Sequence, residues 1–562
     1  MEQKMREHYI ELMEITLSAY SDEHIRRYFD DVKRDGLKEH GFPRLTADIG
    51  ILIAHGRRID LLPIFLEMME FCCKTIPVVK AANDFSVREI VCCLTEVEAS
   101  GIASKEDTER WRAYFAEIDP YKTYNCYVTD INSGARNWAL FTGTSEFFRR
   151  EAGIGDTTDF MELQFLQQLK WFDENGMYKD EPTHEDRQPI MYDIVPRVLY
   201  SLIMDRGYNG PSRDKIDENL RKAGLCTLEM QSPCGDMAFG GRSNQFVHNE
   251  AWLAAIFEYE AKRYKREGND ALASRFKGAA KRAVDVIDGW LSKTPIRHIK
   301  NRYPTETGYG CENYAYFDKY MITVASNLYA AYLMCDDSIE PNAEYDCSPA
   351  VFRTTDYFGK LFLKSGGYGI EIELNGDITY DANGLGRVHL KDAPTNICMS
   401  CPCPQKPNYK IDIEPMAFSL CSAVQSDGAW NFGAEDGNVY GVIDCGTDSN
   451  KANATLACNF ACGATTTESY SVDKNGVAIS VSGEGSVGYA LPAFCFDGEI
   501  SPEIVADKNA LTISYEGWTC RYTTDGEIVD TGKTAANRSG HYRAFIATAQ
   551  NGLNVRIEII KL

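Results

Sequence analysis

Near residue 345 the hydrophobic period of this 562-residue chain changes, and that change limits the fold more than any other feature. Before it, stretches such as "DFMELQFLQQLKWFDENG", "EAWLAAIFEYEAKRYKREGN" and "FDKYMITVASNLYAAYLMCDD" repeat apolar residues at i, i+3 or i+4 and i+7. Each closes in turn residues, the signature of amphipathic helices. After it come short alternating runs, "YGIEIEL", "GVAISVS" and "NVRIEII", separated by NG, DG and GG pairs that read as turns between strands. The Pro- and Asp-rich stretch "DDSIEPNAEYDCSPA" (336–350) marks the junction. The expectation is therefore a helical domain over 1–345 and a β-rich domain over 346–562. The first half repeats helix, loop and helix without a strict period, as an (α/α) toroid of helical hairpins must. The second half suits an antiparallel β-sandwich whose early strands lean over the toroid mouth.

Charge narrows the partners. A formal net charge of −23 repels nucleic acid and anionic lipid, which draw most of their affinity from basic faces. The N-terminal stretch is charged and amphipathic, and no run approaches the roughly 18 apolar residues of a spanning helix. With 19 cysteines, an odd number that includes adjacent pairs at Cys72–Cys73 and Cys92–Cys93, the chain reads as reduced and cytoplasmic. The cluster "CMSCPC" (Cys398, Cys401, Cys403) has no second ligand pair with zinc spacing, so neither metal nor cofactor is expected. An aromatic share of 11%, with 31 Tyr, suits aromatic-lined clefts of the kind that hold carbohydrate. Twofold oligomers are common enough to keep a homodimer open.

Four stretches concentrate polar chemistry. In "QSPCGDMAFGGRSNQFVHNEAW" the glycines permit close backbone approach and a helix is expected to start near Ser243 or Asn244. Its free N–H groups beside Arg242 would receive a carboxylate or sulfate. Asn244, His248 and Trp252 would then share one helical stripe, with Glu250 alongside. The bland reading makes Asn244 an N-cap and His248 a satisfied core histidine. The stretch "PIRHIKNRYPTETGYGCENYAYFDKYM" gathers Arg297, His298, Lys300 and Arg302, then Tyr309, Tyr314, Tyr316 and Tyr320 with Glu312 and Asp318. It offers cations and phenols to an anionic sugar, unless it is a solvated basic loop. In "GMYKDEPTHEDRQPIMYDIVPRVLY", Tyr192, Asp193 and Arg197 surround a Pro-rich helix entrance, and Asp193–Arg197 also fits a plain i,i+4 surface pair. In "YDANGLGRVHLKDAP", Arg387 and His389 fall on one face of a strand. Asn137 and Trp138 form a polar and aromatic pair placed in the same cleft.

Taken together, these residues resemble the toroid-plus-sandwich carbohydrate-active enzymes: heparinase-III-type and alginate-lyase-type polysaccharide lyases and related glucuronidases, with glycoside hydrolase family 154 nearest. The resemblance rests on Ser232, Pro233, Gly235, Phe239, Ser243 and His248 before a toroid helix, on the Tyr-rich helix start after residue 308, and on His389 early in the sandwich. In the lyases, Asn and His neutralise the uronate carboxylate and a Tyr or His removes the C5 proton. The resemblance thus implies those roles for Asn244, His248, Tyr314 and His389. Here "VHNE" departs from the lyase pattern by adding Glu250, which favours an acid or base for hydrolysis. Removal of a terminal uronic acid by hydrolysis needs two carboxyl groups, for which Glu250 and Asp193 are the candidates. Arg242, Arg302 and Arg197 would hold the uronate, while Trp252, Tyr309 and Tyr314 shape the pocket and Arg387 and His389 close it from the sandwich. The alternatives are β-elimination on His248, Tyr314 and His389, and a non-catalytic glycan-binding protein.

Overall fold

The computed structural model describes residues 4–81, 83–180, 190–342 and 344–562. Among these, fourteen α-helices occupy the first part and fifteen strands the second; the last helix, Phe317–Met334, and the first strand, Ala350–Arg353, bracket the expected junction. No strand interrupts the described helices.

Six helices form a closed inner ring: Gly41–Ala54, Asn83–Ser100, Asn137–Glu151, Met191–Asp205, His248–Arg266 and Phe317–Met334. Each packs on the next, and the last returns to the first. The other long helices lie outside this ring, as Asp270–Leu291 does on His248–Arg266 and Met5–Leu17 does on Phe317–Met334. Sequence decides the layer. Gly41–Phe42 through Ile53 is buried on every side, as a helix wrapped by neighbours must be, whereas Asp22–Asp35 buries only Ile25, Phe29 and Val32 at i, i+4 and i+7. Gly50 allows the closest approach in the ring: a β-carbon there would stand 2.4 Å from both Phe65 and the Cys93 sulfur.

The β domain has two antiparallel sheets. The larger has eleven strands organised on the long pair Gly476–Phe496 and Gly540–Lys561, and outer strands such as Ala452–Asn459 alternate buried and half-buried positions. The smaller sheet is Ala350–Arg353, Lys360–Ser365, Tyr368–Glu373 and Gly384–Leu390, in sequence order. Its last three strands are buried almost throughout, because one side faces the large sheet and the other the segment around Pro233 and Phe239 that leads into the ring helix His248–Arg266. The side facing that segment is ionic. Lys360 pairs with Glu371 at 2.9 Å and Glu373 at 2.8 Å, and the Phe239 ring lies 3.5 Å from the Lys360 ammonium. The early sheet thus packs on the segment that carries Pro233 and Phe239, ahead of the ring helix His248–Arg266.

Candidate functional site

All six inner helices begin on the same side of the ring, so their N-terminal residues meet at one mouth. His40 lies 4.6 Å from Phe85, and Phe85 4.8 Å from Trp138, which joins the first three helix starts in an aromatic wall. Opposite, the Arg242 guanidinium lies 5.0 Å from the Tyr192 ring and 6.0 Å from the Tyr314 ring, and its Nε donates to the Tyr192 hydroxyl at 3.0 Å. The Lys319 ammonium stands 5.8 Å from both the Tyr314 and Tyr320 rings. Unpaired N–H groups and the helix dipole give each helix start a partial positive charge. Carboxylates already meet two of these starts, Gly41 N donating to Glu39 at 2.7 Å and Asn137 N to Asp180 at 3.0 Å, so the cations that mark the mouth are Arg242 and Lys319.

Arg242 is held by a backbone that cannot be helical. Ser243 and Gln245 have φ of +59° and +66°, left-handed values that cost a non-glycine residue about 1–3 kcal/mol each. The strain is held from three sides. Ser243 N donates to Glu312 Oε1 at 2.8 Å, and its hydroxyl is 2.9 Å from the Tyr314 hydroxyl. Asn249 Nδ2 donates to Ser243 O at 3.0 Å, while Asn249 Oδ1 accepts from Phe246 N at 2.8 Å. Glu312 is itself fixed by Arg538 of the β domain, at 2.7 and 3.0 Å, across 226 positions of sequence. The helix therefore starts at His248, not at Ser243 or Asn244. The stripe Asn244–His248–Trp252 does not exist as a helical face, and the helix starts after Val247 without a side-chain cap.

Most of the other expected residues are used elsewhere. Glu250 is fully buried, with Oε1 on the Lys300 ammonium at 2.8 Å, and Lys300 also holds Asp236 at 2.9 Å. Asp193 is equally buried: Arg197 grips both its oxygens, Tyr178 N donates to it at 2.7 Å, and Arg197 continues to Thr227 at 2.8 Å. This is an internal pair rather than a surface one, and the Pro-rich part of its stretch, 181–189, lies outside the described residues. Asn244 spends its amide on Ala238 O and its oxygen on Gln245. Trp252 is core, facing Arg88 inside the ring. Arg302 reaches into the β domain to Asp497, Glu499 and Glu516, so it does not serve the mouth. Tyr309 stacks on Tyr303 at 3.6 Å and donates to Asn537 O. Arg387 binds Met237 O, Ser400 O and Glu371, and His389 meets Ser232 at 2.7 Å, all beneath the sheet. Asn137 is bound to Asp180 through both backbone and side chain. Arg242 and Tyr314 remain together at the mouth, while His248 is buried, its ring 5.4 Å from Phe246 and 5.3 Å from Tyr320.

Burial sets the protonation states. It pushes His248 down to about 3, helped by the nearby Arg44 charge, and it raises the Tyr314 phenol well above its ordinary value. The mouth thus rests with a neutral imidazole and a protonated phenol. His389 is likewise pushed down to about 3 by burial and Arg387. In the unfolded chain it titrates near 6.5, so between these values only the unfolded state takes the proton. The stability this neutral imidazole contributes is complete above 6.5 and is lost as pH falls towards 3. His389→Gln should reduce the pH slope of unfolding free energy between pH 4 and 6 by about 1.4 kcal/mol per pH unit. Parallel slopes for the two proteins in urea titrations would show that His389 is charged in the fold.

Sequence reading missed His40, Phe85 and Lys319, whose only signal is position at a helix start, and Arg538, which carries no local signal. Among the described residues no group of three or more His, Cys, Asp or Glu is arranged to hold a metal, and no helix is long and apolar enough to cross a membrane.

No protein-family model matches the chain, and no curated protein matches it. Solved structures do. Heparan sulfate lyase HepC from Pedobacter heparinus is 9% identical, with a TM-score of 0.47, over 93% of this chain and 76% of that one. The chondroitin AC lyase of Streptomyces coelicolor A3, solved with chondroitin sulphate, is 11% identical, with a TM-score of 0.47, over 99% and 82%. These similar structures are polysaccharide lyases, and the arrangement found here is an (α/α) toroid followed by an antiparallel β-sandwich.

Proposed function

We propose that this protein is an enzyme that cleaves uronate-containing oligosaccharides by β-elimination at the toroid mouth. The observation that carries the reading is the Arg242 guanidinium, which is bonded to a phenol and has no carboxylate partner among the described residues. Such a cation has its charge free for a substrate carboxylate, and bidentate binding orients a uronate ring. Hydrolysis, by contrast, would rest on Glu250 and Asp193, and both are closed inside ion pairs without exposure. The uronidase reading therefore loses its two carboxyl groups.

In the proposed reaction Arg242 takes the carboxylate and stabilises the negative charge that develops when the C5 proton leaves. His248 accepts that proton, since its resting state is the neutral imidazole. The C4–oxygen bond breaks as the C4–C5 double bond forms, and the Tyr314 phenol gives its proton to the departing oxygen. Ser243 and Tyr192, whose hydroxyls lie 3.4 Å apart, continue the hydroxyl chain from Tyr314. No water enters the products.

Mass analysis of the products decides between the chemistries: elimination yields an ultraviolet-absorbing unsaturated end, and hydrolysis adds one water. For Arg242→Ala we expect a loss of about 1.5–3 kcal/mol in kcat/KM on a uronate substrate, the worth of a charge-assisted bond, with far less change on a carboxyl-reduced analogue. Equal losses on both substrates would remove Arg242 from carboxylate binding.

A further inference from the structure

A second cavity, about 920 Å³, lies away from the toroid mouth, where the outer helix Asp270–Leu291 meets the β domain. Its walls include Trp290 and Tyr345 from the helical side and Trp518 from the β domain, and both tryptophans are half-exposed. Asp236, Arg282 and Tyr345 line it, and each has a buried polar atom without a partner among the described residues. Asp236 Oδ1 is bound by Lys300, but its Oδ2 is buried with no protein partner. The Arg282 Nε and the Tyr345 hydroxyl are buried and unpartnered in the same way. Buried polar atoms are nearly always hydrogen-bonded, so these three require water or a ligand hydroxyl as partner.

The charges of this cavity largely cancel. Lys281 pairs with Asp285 at 2.9 Å, Lys391 with Asp392 at 2.6 Å, and Arg302 with Glu516. This differs from the mouth, where Arg242 bonds a phenol. With five basic and five acidic side chains in its lining, the groove has no net attraction for a polyanion. What it offers is two half-buried indoles, each with a lysine ammonium over one side (Lys293 5.0 Å from Trp290, Lys561 5.7 Å from Trp518) and the other side for the C–H face of a pyranose. It also offers a carboxylate oxygen and a guanidinium N–H without partners among the described residues. Vicinal hydroxyls can donate to the first and accept from the second.

We infer that this groove is a second binding site, for uncharged, hydroxyl-rich oligosaccharide, separate from the mouth and independent of the chemistry proposed there. Trp290 and Trp518 are the stacking platforms, and Asp236 and Arg282 bind the hydroxyls. The site lets the protein hold a neutral stretch of glycan while the mouth engages a uronate.

Tryptophan fluorescence and calorimetry on the full chain, titrated separately with cellotetraose, maltotetraose and chitotetraose, test this. At least one should bind. Trp290→Ala and Trp518→Ala should each weaken that binding roughly tenfold or more, Trp290→Phe should retain most of it, and Arg242→Ala should leave it unchanged. Thermal unfolding of each variant separates lost binding from lost folding. Two outcomes overturn the inference: no binding by any of the three sugars, or binding that Arg242→Ala abolishes and Trp290→Ala spares. Neither outcome bears on elimination at the mouth, and loss of uronate cleavage in Arg242→Ala would leave this groove standing.

Discussion

Tyr314→Phe should lower turnover on a uronate oligosaccharide by roughly 100- to 10,000-fold, the range for removal of a positioned proton donor or acceptor. The phenylalanine keeps the ring, with its neighbours Arg242 and Lys319, and removes only the hydroxyl that meets Ser243 at 2.9 Å. KM should change little, because the carboxylate contact resides on Arg242. His248→Gln should show a loss of similar size, and the double variant should lose scarcely more than either single one, since acid and base act in one step. The pH profile supplies a readout that a purely structural role would not move. With His248 pushed down to about 3, its protonation imposes no loss of activity between pH 5 and 7. A wild-type acidic limb near the ordinary histidine value of 6.5 would remove His248 as the resting neutral base. Full turnover by Tyr314→Phe would remove Tyr314 from proton transfer.

The layering of this fold is legible because it follows from periodicity. An inner helix such as Gly41–Ala54, apolar on most of its circumference apart from Arg44, Thr46 and Asp48, and an outer one such as Asp22–Asp35, apolar on one stripe, declare their places in the sequence itself. The strands announce themselves by alternation. The site was legible only where a residue's role is local. Arg242 and Tyr314 stand in polar, glycine-marked stretches beside helix starts, and there the sequence can be read. Glu250 and Asp193 have the same local signals, but their partners, Lys300 and Arg197, decide their chemistry. Lys300 is 50 positions from Glu250, and nothing in spacing reports that contact. Arg302 and Tyr309 failed for the same reason, being claimed by the β domain through Asp497 and Asn537.

Left-handed Ser243 was a different kind of failure. Serine ordinarily reads as a helix cap, and a helix start at 243 was the natural expectation. Tertiary contacts from Glu312, Asn249 and Tyr314 override that preference and push the start to His248. The consequence is functional. An uncoiled 243–247 segment turns Arg242 outward between two phenols, where a helical one would have carried it around the ring. Because Arg538 fixes Glu312, the β domain takes part in building a site otherwise made by helices.

Lys300→Met should destabilise the protein by about 3–5 kcal/mol, the cost of leaving a buried charge without its partner. Lys300 is 4% exposed, and its ammonium serves two carboxylates, Asp236 at 2.9 Å and Glu250 at 2.8 Å. Methionine matches the length of lysine, so the loss reports the charge and not a cavity. The pH dependence identifies the cause. In the wild type, burial raises Glu250 while Lys300 restrains the rise; for Asp236, burial pulls upward, but Lys300, His389 and Arg387 together bring it down to about 2. Without Lys300 both carboxyls lose their main counter-charge, and their folded pKa values climb above those of the unfolded chain. The folded variant then binds more protons than the unfolded one, so its stability should recover as pH falls from 7 towards 5 and decline again as pH rises. Adding Asp236→Asn and Glu250→Gln to Lys300→Met removes both orphaned charges and should restore most of the loss at pH 7, a test of coupling that a packing defect would fail. A Lys300→Met protein within about 1 kcal/mol of wild type at pH 7, against the expected 3–5, would mean that water reaches these carboxylates. They would then be open groups beneath the mouth, and Glu250 would return as a candidate acid for hydrolysis.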